Sequence, residues 1–396
     1  MIEYDAPEEV IRAVNKSCTQ EFTGISENGS KVSVFLDYIQ KRKNTISSGV
    51  VIETKNDIYP CALPDVGCGF RLVKCNGISA KTLLKNKNII NRIDDFLHGK
   101  MDVNLIPNQV VLNKMLYEGH NCTASLFDNK REKAYENHGY YKISKGHIFN
   151  SKIYPDKNLL KKFNNYQGHF FEISYAEEEE ECIYFFIHCG SFDLATRYMD
   201  YYYPLLAKEA FINRWSSKEE IIQGKFHIPK DSEIAIKYYN DIKCLMNFAV
   251  AYRDLVEYNI TKILNEETKK KLCVELLSDY IHTKLSIGDT VIHQRGIQKL
   301  ENDDEKTYIL SGEHGIASML FKINQDGFFS HGVQTKYQIF ENAVSDERLI
   351  SKAIKKIDDD TVKRTRSVRK CFDYYLSKPE VSLDKYIYPF YSYKLE

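Results

Sequence analysis

The chain has 396 residues, 55 basic against 55 acidic side chains, a formal net charge of zero, and 43% hydrophobic and 28% charged residues. This balance excludes a largely disordered chain, and it excludes a global positive field that would draw in a polyanion, so contact with nucleic acid would have to rest on local charge. With no internal repeat, low-complexity linker or break in composition, the expected organisation is an N-terminal segment, 1–30, followed by a single domain over 31–396.

In chain order, the acidic and polar opening Met1-Ile2-Glu3-Tyr4-Asp5 lacks a signal-peptide pattern, and no window approaches a membrane-spanning apolar run. The ten cysteines contain no CxxC pair and are too sparse for a disulfide scaffold. Together these features predict a cytoplasmic protein, not membrane-bound, with free thiols. A short helix is expected at Pro7–Asn15, a turn at Asn28-Gly29-Ser30, and strands at Val32–Leu36 and Ser48–Thr54 around the basic loop 41–43. The segment Pro64-Asp65-Val66-Gly67-Cys68-Gly69-Phe70-Arg71 is a glycine-bracketed loop leading into a strand, Phe70–Val73, and such a loop holds side chains at angles a helix cannot supply.

Residues 77–135 read as helical and connective. Phe170–Tyr175, the run Glu177–Glu181 and Cys182–His188 alternate as a β-hairpin, which brings His169 at the start of one strand beside His188 at the end of its partner. From Ser232 to about Ile263, apolar residues recur every three or four positions, predicting an amphipathic helix capped by Asp231-Ser232. A second helix is expected over about 268–283 with His282 near its end. The tail alternates strands and glycine turns, passes through a basic helix holding Lys363, Arg364, Arg366, Arg369 and Lys370, and closes on Tyr386–Lys394.

Chemistry concentrates at Asp65 and Cys68 and at a set of histidines that flank glycines or end strands. A carboxylate, a thiolate and imidazoles together suit Zn²⁺, Mn²⁺, Fe²⁺ or Co²⁺ better than Mg²⁺ or Ca²⁺. A histidine left outside the ligand set can serve as base or nucleophile beside such an ion. No GxxxxGK[ST] loop is present.

The ordered series Pro64 to Arg71, Gly168-His169-Phe170-Phe171-Glu172, His188-Cys189-Gly190-Ser191, Tyr280-Ile281-His282, His293-Gln294-Arg295-Gly296, Ser311-Gly312-Glu313-His314-Gly315, Ser330-His331-Gly332 and Lys394 resembles the RtcB-type RNA ligases over about residues 32–396. The resemblance implies a mixed α/β (α+β) fold with a deep central metal-binding cleft. It implies joining of RNA 3′-phosphate or 2′,3′-cyclic phosphate ends to 5′-hydroxyl ends with GTP and two Mn²⁺ ions, for which Zn²⁺ or Co²⁺ could substitute, in RNA repair or tRNA processing. Cys68 would bridge the metals, with Asp65, His169, His188 and His282 as the other ligands. His331 would form a histidine–guanylate intermediate. Glu172, Lys394, Glu313, His314 and Arg253 would face the nucleotide, Arg71 and Arg295 would hold phosphates or support the site, and an archease-like protein would be an activating partner.

The sequence departs from the family pattern around the nucleotide. Glu313-His314 stands where the family has a small hydroxyl and a thioether, Gly168 replaces an asparagine, and the early Pro-Asp-x-His-x-Gly loop is reduced to Leu36-Asp37-Tyr38-Ile39. Two alternatives stay open at this point: a metal-dependent phosphohydrolase or other modifying enzyme on the same scaffold, and a catalytically silent metalloprotein that binds RNA or a protein through the basic segment.

Overall fold

The structure, a computed structural model, describes residues 1–40, 45–101, 108–124, 134–153, 169–191, 193–333, 340, 343–353 and 358–393. Two sheets and one long helix organise these residues. A seven-stranded antiparallel sheet runs in the order Tyr308–Leu310, Ser318–Ile323, Val381–Tyr393, Phe170–Tyr175, Cys182–Cys189, Gly69–Asn76 and Cys273–Ile281. Every residue of Cys182–Cys189 is buried, as its unbroken run of apolar and aromatic side chains requires of a strand covered on both faces. A five-stranded sheet runs Ile2–Asp5, Lys31–Ile39, Ser48–Thr54, Val291–Arg295 and Thr283–Ile287.

The long helix, Glu233–Thr268, packs against Cys182–Cys189 and Cys273–Ile281. It begins where Ser232 accepts a hydrogen bond from the Ala235 amide, as its sequence predicts, and ends at Lys269 in the left-handed conformation. It is longer than its amphipathic pattern suggests, because its middle turns are buried on every side.

The expected helix over 268–283 is a correction: Cys273–Ile281 is an edge strand paired with Gly69–Asn76. Its apolar residues sit close enough together to satisfy either period, and the sheet edge decides between them. The N-terminal helix also extends beyond its expected range, covering Glu8–Glu27, because Val10, Val14, Cys18, Phe22 and Ile25 line one buried stripe that joins the main core. Ile2–Asp5 pairs in parallel with Val32–Phe35, so the chain's first strand is part of the five-stranded sheet.

The predicted hairpin is present, with Phe170 opposite His188. Glu179 from its acidic turn faces inward and accepts from Lys74 at 2.9 Å and Lys385 at 2.7 Å. The basic loop 41–43 and Lys394 lie outside the described residues. Among the described residues no helix is long and apolar enough to cross a membrane.

Candidate active site

Antiparallel order converts four distant sequence positions into one edge of the sheet. Cys68 precedes the strand Gly69–Asn76, His169 precedes Phe170–Tyr175, His188 lies at the end of Cys182–Cys189, and His282 follows Cys273–Ile281. Alternate strands of an antiparallel sheet present a start and then an end along the same edge, so these residues meet across up to 214 positions of chain. The edge is drawn tight by the His282 amide, which donates to the Cys68 carbonyl at 2.8 Å, and by the Gly67 amide, which donates to the Thr283 carbonyl at 2.9 Å. A Cβ at Gly69 would lie 2.2 Å from the Tyr280 carbonyl oxygen, and one at Gly190 would lie 2.7 Å from the Cys68 Cα. The glycines around Cys68 are therefore what let neighbouring backbones close on it.

The Cys68 Sγ lies 3.1 Å from His169 Nε2, 3.2 Å from His188 Nε2 and 3.0 Å from His282 Nε2. Asp65 Oδ2 stands 3.3 Å from His169 Nε2. Two triads result, Cys68–His188–His282 and Asp65–Cys68–His169, each with ligand atoms within 4.8 Å of one another and with the cysteine common to both. Burial, then the Asp65 charge, pushes the Cys68 thiol well above its ordinary range, while burial and then the neighbouring imidazoles hold His188 and His282 well below theirs. Neutral imidazoles are the ligand form of histidine, and a buried thiol becomes a thiolate when a cation takes the place of its proton. One sulfur, three ring nitrogens and a carboxylate, with Cys68 common to both triads, are a donor set that fits borderline divalent ions.

His331 stands next to this cluster at the end of the strand Gly327–Ser330. Its ring centroid is 4.6 Å from that of His282 and 5.8 Å from that of Phe70. The link is direct: the Ile297 amide donates to the His282 carbonyl at 3.0 Å, and Ile297 pairs with Ser330. Asp37, buried on the strand Lys31–Ile39, takes the other side of His331. Its Oδ2 accepts from the His331 backbone amide at 3.3 Å and from ring Nδ1. With the Nδ1 proton held there, the Nε2 lone pair is free. The sequence alone assigns Asp37 no role of its own; the aspartate left within the reduced Leu36-Asp37-Tyr38-Ile39 segment is the signal that points to it.

A polar cleft opens beside His331, lined in part by Phe70, Glu172, His188, Glu313, His314 and Ser392. The carboxyl of Glu172 is buried and accepts from Ser174 Oγ at 2.8 Å; burial pushes it up to about 7. Glu313 meets Arg364 at 3.5 Å, which offsets the charge that a phosphate-binding cleft would otherwise find repulsive. His314 is exposed at the rim.

Arg253 does not line this cleft. It is fully buried, donating to Asp279 and to the carbonyls of Cys189 at 3.0 Å and Gly67 at 3.4 Å, and so it braces the backbone beneath Cys68. Arg71 is likewise buried, among Asp254 at 2.7 Å, Glu257 and Asp279 at 2.9 Å. Both arginines act as scaffold here, as buried guanidinium groups with several carboxylate partners do. Arg295 differs. Burial lowers its guanidinium to about 10 against the opposing pull of Asp65, and its buried Nη1 has no hydrogen-bond partner among the described residues. Along the basic helix, Asp359–Leu376, Arg364 also pairs with Asp360, and Arg369 pairs with Asp346 and Asp373, so much of its charge is already balanced.

The sequence model of the family described as tRNA-splicing ligase RtcB matches residues 42–310. A search of curated proteins returns no match.

Proposed function

The chain belongs to the RtcB family, whose activity is metal-dependent RNA ligation, and from that premise we propose that it joins RNA 3′-phosphate or 2′,3′-cyclic phosphate ends to 5′-hydroxyl ends through guanylylation of His331. The observation that carries this reading is the Asp37–His331 pair at the edge of the Cys68 cluster. An imidazole whose Nδ1 proton is held by a buried carboxylate directs its Nε2 lone pair outward, as an attacking nitrogen requires.

His331 Nε2 forms a bond to the α-phosphorus of GTP as the bond to the pyrophosphate oxygen breaks. Asp37 stabilises the positive charge that develops on the ring. The guanylate then passes to an RNA 3′-phosphate oxygen as the histidine N–P bond breaks, restoring the imidazole, and the 5′-hydroxyl oxygen attacks the activated phosphate, its proton passing to solvent, as the anhydride bond breaks and GMP leaves. A cyclic phosphate is first opened by water to the 3′-phosphate. Mn²⁺ ions held by Asp65, Cys68, His169, His188 and His282 would offset negative charge on the phosphoryl oxygens.

The remaining residues divide the work of binding. Glu172 would accept N–H groups of the guanine, with Lys394 as its expected counterpart on the base. Arg295, with a donor unspent, would contact a phosphate, and the Glu313–Arg364 pair and His314 would border the nucleotide. An archease-like protein is the activating partner this reading expects.

Joining of two RNA oligonucleotides tests the proposal. Mn²⁺ and GTP should seal a 3′-phosphate to a 5′-hydroxyl and leave a 5′-phosphate acceptor unjoined. Metal-dependent release of phosphate without GTP, and without joining, would support the hydrolase instead.

A further inference from the structure

A second set of metal-ligating side chains shares no residue with the Cys68 cluster. Asp241 and Cys244 lie three positions apart on the helix Glu233–Thr268, which places them on one flank. His147 comes from the segment 140–153, which lies across that flank and is fastened there by Asn240 Oδ1, accepting from the Ser144 amide at 3.0 Å, and by Asn247 Oδ1, accepting from the Tyr141 amide. The candidate ligand atoms of His147, Asp241 and Cys244 all lie within 4.8 Å of one another.

We propose that His147, Asp241 and Cys244 form a divalent-metal site of the Zn²⁺ type, with three protein ligands, that clips the segment 140–153 to the long helix. The donor set is one imidazole, one carboxylate and one sulfur, a mixture suited to Zn²⁺. Charge argues in the same direction. Asp241 is buried, and among the described residues it has no lysine or arginine ion-pair partner, only His147 at 2.6 Å. A dication bound to a carboxylate, a thiolate and a neutral imidazole gives a site of zero net charge, which offsets the cost of holding a carboxylate in the interior.

The surroundings match those of a ligated carboxylate as well. Asp241 Oδ2 accepts from Tyr202 Oη at 2.8 Å, an outer hydrogen bond that orients the other oxygen. The His147 side chain is 11% exposed, so an ion can enter and a water can fill the fourth position. On binding, the ion displaces the Cys244 S–H proton, which passes to solvent, and the imidazole binds through a ring lone pair.

Metal content of the full chain, saturated with Zn²⁺ and desalted, tests the site. His147→Gln should lose one equivalent relative to wild type while its far-ultraviolet circular dichroism and its labelling by GTP stay unchanged. Unchanged metal content would overturn the proposal. In a second arm, Cys68→Ala removes the thiolate of the other cluster, and Co²⁺ should still give a near-ultraviolet thiolate-to-metal band that Cys68→Ala/Cys244→Ser lacks. No band in the first protein, or an equal band in both, would likewise overturn it. Because GTP labelling reads the His331 and Cys68 site while metal content and the Co²⁺ band of the Cys68→Ala protein read this one, failure of this site and failure of the ligase reading are separately visible.

Discussion

Asp37 and His331, 294 positions apart, are joined twice: Asp37 Oδ2 accepts from both the backbone amide and the ring Nδ1 of His331. The first contact fixes where the histidine sits and the second fixes which nitrogen is free. Asp37→Asn keeps the size of the side chain but removes the anion that balances the developing imidazolium. Its guanylylation rate is expected to fall about 10²-fold or more, measured by single-turnover labelling, with circular dichroism unchanged. A rate near wild type would separate Asp37 from the chemistry.

Glu172 supplies a pH signature. Burial raises its carboxyl from 4.5 to about 7, so between those values the folded protein keeps a proton that the unfolded chain has lost. Stability contributed by this group is therefore present in full below pH 4.5 and is lost as pH rises towards 7, by about 3 kcal/mol across the window. Denaturant melts of the metal-free protein should show that slope, and Glu172→Gln should flatten it. In the same range, GTP affinity should increase with pH if the ionised carboxylate is the form that accepts guanine N–H groups.

The Glu313–Arg364 pair yields a double-mutant cycle. Arg364→Ala takes a positive charge away from the Glu313 carboxylate at the cleft and should raise the KM for GTP several-fold, whereas Glu313→Ala/Arg364→Ala should recover much of that loss. Both side chains are partly exposed, so the coupling should weaken with added salt. Equal losses in the single and double variants would mean that Arg364 contacts the nucleotide itself.

Arg71 should behave as scaffold and not as a phosphate contact. Replacing it with Met takes the guanidinium away from Asp254, Glu257 and Asp279, leaving Arg253 to face this buried acidic cluster, and the expected cost is about 3–5 kcal/mol of stability. Thermal melts would show this as a large fall in Tm. A stable Arg71→Met protein with impaired GTP binding would reverse the assignment.

Sequence patterning reached the hairpin and the Ser232 cap because both are local: alternation and a capping side chain act over a few residues. The resemblance named Asp65, Cys68, His169, His188 and His282, and the sheet brings these five side chains together at one edge. What sequence alone left out is tertiary. Cys273–Ile281 carries an apolar spacing that suits either period until a neighbouring strand selects one. Arg253 looks the same in sequence whether it meets a phosphate or Asp279, and only the fold turns it towards the latter. Asp37 was obscured by the loss of the motif around it, though the carboxylate itself remains.

The most direct measurement is incubation of purified, Mn²⁺-loaded protein with α-phosphate-labelled GTP, beside His331→Ala and Cys68→Ala, followed by mass detection of nucleotide bonded to protein. The account predicts guanylate on wild type, mapped to His331, and none on either variant. Wild type that binds metal and GTP yet carries no covalent nucleotide, or carries it on a residue other than His331, would contradict it.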